Sequence, residues 1–349
     1  MKTWVYILRR LLLLIPQMFL ILVATFFLIR LLPGDPARLQ LGPLAPEEGV
    51  QALRQRMELD KSMPVQFYAY VKQLFHGDLG YSWVNSSSVA SDLQSRLPAT
   101  LELIFLGLLV TLIFLVPLGV LTATRGGGPL SRILKRFASI YGLLAGALPD
   151  FWLGLLMLYV FFTKLHVLPG PEGRLAIGAE PPNHITGFYT VDALLAGDFS
   201  TLWSALQHLI LPVFTLAFVY GSVIFKYAWS GTAQALRSDF TAYADACGLR
   251  ARKVQWYALR YVAPPMIVVT GVTAGYLLGG AVLIETVFNL NGVGQYAVQS
   301  IVSSDYAPIQ GFVLIAAVFT MVVYLVVDLV HFAVDPRVRV QGAAKLGGR

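Results

Sequence analysis

At 349 residues, 56% of them apolar and 13% charged, with a mean hydropathy of +0.67, most of this chain cannot be an ordinary water-soluble domain. One cysteine, Cys247, excludes an internal disulfide and a two-cysteine zinc knuckle, and five scattered histidines offer no metal-ligand spacing. The net charge of +7 does not indicate nucleic acid, because much of the basic excess sits in short segments between apolar runs, where lysine and arginine orient a membrane protein.

A helix needs about 20 residues to cross the hydrocarbon of a bilayer without leaving backbone groups unpaired. Six stretches qualify: residues 11–32, 101–123, 138–162, 206–227, 265–287 and 310–332. The first follows Arg9 and Arg10, is too long for a secretory signal core and lacks a small-residue cleavage site, so it is expected to stay attached as the first span. Between the first and second spans, residues 47–59 and 64–75 read as short amphipathic helices. The connection 165–204 is rich in proline and glycine, which predicts turns, with a short helix over 191–202. An even number of spans puts both termini on one side. Lys2, Arg9, Arg10, Arg125, Arg132, Lys135, Arg136, Arg337 and Arg339 fall on that side, whereas 289–308 on the other has no lysine or arginine. The positive-inside rule therefore predicts cytoplasmic termini and a multi-pass protein of the cell inner (plasma) membrane.

Residues 230–265 form the most informative segment facing water. Its alanines and leucines predict a helix over 232–247 continuing out of the fourth span, a stop at Gly248 and a second short helix over 251–259. Small residues at Ala242, Ala244 and Ala246 permit close approach, and Arg250, Arg252 and Lys253 surround the turn, where they can pair with an acidic surface. The bland alternative is an ordinary positive connection between spans.

This segment resembles the glycine-containing cytoplasmic loop of binding-protein-dependent ATP-binding-cassette importer permeases. Asp239 and Phe240 match the start of that motif, Ala244 and Ala246 its small positions, Gly248 and Leu249 its Gly-Leu pair and Pro264 its closing proline; Asp245 and Cys247 depart from a pattern that is usually basic there. Further marks of the dipeptide, oligopeptide and nickel subgroup run along the chain. They are Leu32-Pro33-Gly34-Asp35-Pro36, Gly77-Asp78-Leu79-Gly80-Tyr81-Ser82, Arg96 to Leu103, Pro149 to Gly154, His208 to Pro212, Glu285 to Phe288 with Gly292-Val293-Gly294, and Asp335 to Arg339.

The resemblance implies an all-α, polytopic, six-helix protein of the type I, MetI-like permease fold, of the kind with a long loop after its first span. Its parts are then 1–32 (tail and first span), 33–97 (an extracytoplasmic subdomain), 98–335 (a five-helix core with a coupling loop at 230–262) and 336–349 (a cytoplasmic tail). It implies that Ala244, Ala246, Gly248, Leu249, Arg250, Arg252 and Lys253 couple to an ATPase. The partners it implies are a second homologous permease, one or two types of ATPase subunit, an extracytoplasmic solute-binding protein and the lipid bilayer. ATP and magnesium belong to the ATPase partners, and no cofactor is expected on this chain. The chain itself has no G-x-x-x-x-G-K-[ST] motif, so it is not read as an enzyme.

Ionisable groups inside hydrocarbon are costly and mark either a pathway or a buried polar contact. Asp150, beside Pro149 in the third run, and Glu102 and Glu285 near the outer ends of the second and fifth are the candidates for a translocation pathway; helix packing is the alternative for each. Asp328 in the sixth run reads as an anchor. Gly271, Gly275 and Gly279 share one helical face, which suits packing within the chain or against a second permease. Two other functions fit an apolar chain with internal carboxylates: a proton- or ion-coupled secondary transporter, and a membrane-embedded enzyme using Asp150 with His208.

Overall fold

Uninterrupted apolar sequence gives long helices here because a helix is the cheapest way to pair backbone groups away from water. The computed structural model describes residues 3–31, 35–42, 44–124 and 128–334. The expectations at Lys2, Leu32 to Gly34, Arg125, Gly126-Gly127 and 335–349 lie outside the described residues.

Among the described residues, five helical stretches are long and apolar enough to cross a membrane. They are α1 (Thr3–Arg30), Val89–Thr124, α10 (Phe199–Ala235), α12 (Ala251–Phe288) and α14 (Tyr306–Val334). Val89–Thr124 consists of α5 (Val89–Val110), a wider π-type stretch at Thr111–Leu115 and α6 (Val116–Thr124). All five coincide with apolar runs in the sequence.

The third expected run, 138–162, is not one helix. It divides into α7 (Pro129–Leu144) and α8 (Asp150–Met157), with α8 continued by a π-type stretch at Leu158–Lys164. The cause is Pro149, which has an extended ψ of 133° and no N–H to continue the ladder, so the chain restarts as a new helix with Asp150 in its first turn.

Among the described residues of the segment after α1, three helices and one hairpin form. They are α2 (Pro36–Leu41), α3 (Glu47–Arg56), α4 (Met63–Phe75) and the two-residue strands β1 (Tyr81–Ser82) and β2 (Ser87–Ser88), paired antiparallel. The two amphipathic helices expected there are present. The 191–202 helix is not: α9 (Tyr189–Ala196) ends at Gly197 in the left-handed conformation, and Asp198 accepts from the Ser200 and Thr201 amides to start α10. The remaining helices are α11 (Asp239–Ala246) and α13 (Val293–Val302).

The core is apolar and lies where α5, α10 and α12 meet, with Leu103, Leu216, Leu277, Ile284 and Phe288 all buried. Two of the three spaced glycines on α12 serve packing inside this chain. A side chain at Gly271 would collide with Val327 of α14, and one at Gly275 would press on the Tyr324 ring at 3.0 Å, whereas Gly279 faces open space. At the end of the bundle away from the 35–88 segment, Arg10 of α1 pairs with Asp328 of α14 at 2.9 Å, the anchoring role read for Asp328.

Candidate functional site

Two groups of candidate residues occupy opposite ends of α12. One is the finger between α10 and α12. The other is a pair of buried carboxylates at the far end.

The finger differs from the expected continuous helix. Thr241 turns its hydroxyl back to the Ala235 carbonyl at 2.9 Å, and Ser238 bonds the same carbonyl at 2.6 Å. That local competition with the helical ladder ends α10 at Ala235 and starts α11 at Asp239. Gly248 follows at φ +75°, a conformation costly for residues with a Cβ, and the Leu249 amide closes the turn on the Ala244 carbonyl at 3.2 Å. The short 251–259 helix of the sequence reading is instead the first turns of α12, which runs unbroken through Pro264 and Pro265 for 38 residues.

Ala244 is buried, Leu249 is half-buried, and Ala246, Gly248, Arg250, Arg252 and Lys253 are exposed. The turn therefore presents small and basic residues outward, with no described residue within 4 Å of where a Gly248 side chain would project. Sequence reading missed two residues of this surface, Tyr243 and Trp256, which are 74% and 52% exposed. A large aromatic close to the turn, on α11 and on the first turns of α12, was the available signal. Asp245 and Cys247 are exposed as well.

At the other end, the motif Arg96 to Leu103 holds two carboxylates in place. Glu285 is fully buried; it accepts from the Thr100 hydroxyl at 2.5 Å and from the Gln295 amide at 3.0 Å, in the first turn of α13. Thr100 in turn accepts from the Val293 amide at 3.0 Å. An anion at a helix N-terminus is stabilised by the unpaired amides there, and Gly292 and Gly294 let the backbone come that close. A side chain at either would run into Glu285, and one at Gly294 would also lie 2.6 Å from the Val282 backbone.

Glu102, two residues further along α5, is equally enclosed. It pairs with Arg174 at 2.5 Å and accepts from the Thr190 amide at 2.8 Å and hydroxyl at 2.5 Å, at the start of α9. Arg174 also bonds the Gly187 carbonyl at 3.0 Å and stacks 3.5 Å from the Tyr189 ring. Asp192 completes this connection. Burial raises its pKa, but hydrogen bonds from the Thr186 hydroxyl and the amides of Thr186, Gly187 and Ile185 outweigh that and hold it below the usual carboxylate range.

Asp150 stands apart from both. Its oxygens take the Phe151 amide at 2.7 Å and the Tyr220 hydroxyl at 2.8 Å, joining α8 to α10. Tyr220 lies where a side chain at Gly280 would otherwise be, so the fourth glycine of α12 is what admits it. The structure thus sets Glu102 on α5 two residues from Thr100, which bonds Glu285 of α12, and bonds Asp150 to neither. His208 donates through Nδ1 to the Ser204 carbonyl at 2.7 Å, and Nε2 is 3.9 Å from Glu172. Twelve residues of helix, about 18 Å, separate it from Tyr220, Asp150's partner, so the two do not form an acid and base pair.

Against known proteins, two family descriptions cover almost the whole chain. Residues 115–340 match the binding-protein-dependent transport system inner membrane component, and residues 3–104 match the N-terminal part of such membrane components. A probable D,D-dipeptide transport system permease protein of Escherichia coli K12 is 42% identical over 321 residues, covering 90% of this chain and 92% of that one. A di/tripeptide transport system permease protein of Pseudomonas aeruginosa is 35% identical, covering 96% and 99%. A glutathione transport system permease protein of Salmonella paratyphi A is 31% identical, covering 96% and 98%. With a mostly helical fold that includes long apolar helices, and matches of this extent, the chain belongs to the family of inner-membrane permease components of binding-protein-dependent importers.

Proposed function

We propose that this permease forms half of the inward route for small peptides or related solutes, with a second homologous permease forming the other half. One or two types of ATPase subunit bind ATP and magnesium and supply the work, and an extracytoplasmic binding protein delivers the solute. The observation that carries the mechanical part is the unbroken α12. At about 1.5 Å per residue its 38 residues span about 57 Å, from the exposed finger to the Glu285 clasp. A continuous helix of that length links a push at one end to a displacement at the other. The peptide chemistry is supported by relatives whose names specify dipeptide, di/tripeptide and glutathione transport.

On this reading the finger and both termini are cytoplasmic and the 35–88 segment is extracytoplasmic. Ala246, Gly248, Arg250, Arg252 and Lys253 meet the ATPase, while Ala244 and Leu249 hold the turn in shape. Asp150, at a helix start in the bundle, is the strongest candidate of the three carboxylates to border the route; Glu102 and Glu285 act on it through the clasp. Reconstituted transporter should accumulate labelled dialanine only with ATP and the binding protein present. Uptake driven by an ion gradient without ATP would overturn the importer reading in favour of a secondary transporter. Orientation has its own test, because Cys247 is exposed and the sequence has one cysteine. A membrane-impermeant maleimide should label it in inverted vesicles stripped of ATPase subunits and not in intact cells.

A further inference from the structure

A cavity of about 380 Å³ lies between the 35–88 segment and the adjoining ends of α1 and α14, away from Asp150 and from the clasp. Helix α1 ends there at Arg30, α4 brings Gln66 and Tyr70, the hairpin brings Trp83, and the entry to α14 brings Asp305 and Gln310. Three of the residues that line it each keep a buried polar atom with no hydrogen-bond partner among the described residues: Arg30 Nη1, Asp305 Oδ1 and Gln310 Nε2.

Two of the three are held by their other atoms. Arg30 donates through Nε to Gln66 at 2.8 Å and lies 3.6 Å over the Phe26 ring, which fixes the guanidinium and leaves Nη1 over. Asp305, 1% exposed, uses Oδ2 for the Ser82 hydroxyl at 2.7 Å and the Val84 amide at 3.2 Å, and its Oδ1 takes nothing. Gln310 is 6% exposed. Among the described residues no ion pair joins Arg30 to Asp305, although the two carry opposite charge on one cavity wall. Buried polar atoms left unmatched cost stability, and native proteins keep few of them without a ligand, an ion or water.

The unmatched set is two donors, one of them cationic, and one anionic acceptor. A carboxylate satisfies the donors and an ammonium satisfies the acceptor. Tyr70 and Trp83 supply flat apolar walls for whatever joins those two ends, and the volume suits a small solute. We propose that this cavity binds a small zwitterion of the dipeptide class, its carboxylate on Arg30 and Gln310 and its ammonium on Asp305. The residues specify the paired charges; the choice of a peptide between them rests on the importer reading above.

The test is calorimetric titration of the full permease in lipid nanodiscs with dialanine, N-acetyl-dialanine and dialanine amide, without ATPase or binding protein. Dialanine should bind saturably, and blocking either terminus should weaken it about tenfold or more, as expected when a charge-assisted contact is lost. Asp305→Asn keeps an oxygen for Ser82 and Val84 and should lose affinity for dialanine while leaving N-acetyl-dialanine unchanged. Absence of saturable dialanine binding to the wild-type chain, or binding indifferent to both blocked termini, overturns the proposal, and neither result depends on any variant folding. ATP-dependent dialanine uptake by the complete transporter alongside that negative result would leave the importer reading standing without the cavity. Saturable, terminus-dependent binding without ATP-dependent uptake would do the reverse.

Discussion

The two ends of α12 are held in opposite ways. At the Glu285 end, buried carboxylates meet helix starts, an arginine and glycines that admit them, and both Glu102 and Glu285 are taken up by partners from elements distant in sequence. At the finger end the turn is local, exposed, and closed by short-range bonds from Ser238, Thr241 and Leu249. The first is an anchor held by buried hydrogen bonds and an ion pair, costly to break because a buried carboxylate would be left unmatched. The second is an exposed surface held by its own local bonds.

The contrast breaks most visibly at Arg174. Arg174→Ala leaves Glu102 buried without its counter-charge, and loss of one partner of such a pair costs about 3–5 kcal/mol. Thermal denaturation in detergent should show a large fall in midpoint, partly restored by adding Glu102→Gln. A neutral outcome for Arg174→Ala would mean that water reaches Glu102 and that this end is not an anchor.

Glu285→Ala comes next, since it strands the Thr100 hydroxyl and the Gln295 amide at about 1–3 kcal/mol. Glu285→Gln keeps one acceptor, for the Gln295 amide, and turns an NH2 donor on the Thr100 oxygen, so it should fall between that variant and wild type in the same melt. Equal melting of the two variants would remove the hydrogen bonds from the account.

The finger should respond differently. Gly248→Val forces a branched residue to φ +75° and costs about 1–2 kcal/mol locally, yet the bundle should insert and melt as wild type. The effect belongs in partner contact, read as loss of ATPase copurification and of the ATPase's protection of Cys247 from maleimide. Gly248→Asn, better tolerated in that conformation, should retain both. A lowered melting midpoint with normal ATPase binding would reverse the roles assigned to the two ends.

The smallest expected effect is at Asp192, whose hydrogen bonds organise 184–192 beside the clasp. Its folded pKa is depressed, so its contribution is present above the unfolded value, about 3.9, and is lost as pH falls through the lower folded value. Amide hydrogen exchange at Thr186 and Gly187 should quicken across that acidic window, relative to its chemical rate, and Asp192→Asn should abolish the change.

Much of this was legible in the residues. Apolar runs gave five spanning helices, the Gly248 stop is where it was expected, and the order of short motifs pointed to the permease family that the comparisons then showed. The continuous helix over 232–247 was not right, because alanine and leucine content reports propensity and not the competing bonds of Ser238 and Thr241 to one carbonyl. The third span was drawn whole because hydropathy averages over Pro149.

Sequence by itself determined which segments leave water, since transfer of apolar side chains is a local property that adds along the chain. It also determined where turns end helices, because glycine and proline act on their own backbone. Only the tertiary structure decided what the charged residues do. Partners 72 and 185 residues away enclose Glu102 and Glu285, Tyr220 reaches Asp150 past Gly280, and Arg30 and Asp305 share a cavity across most of the chain length. A carboxylate in an apolar run states that it needs a partner, and the fold alone supplies which one.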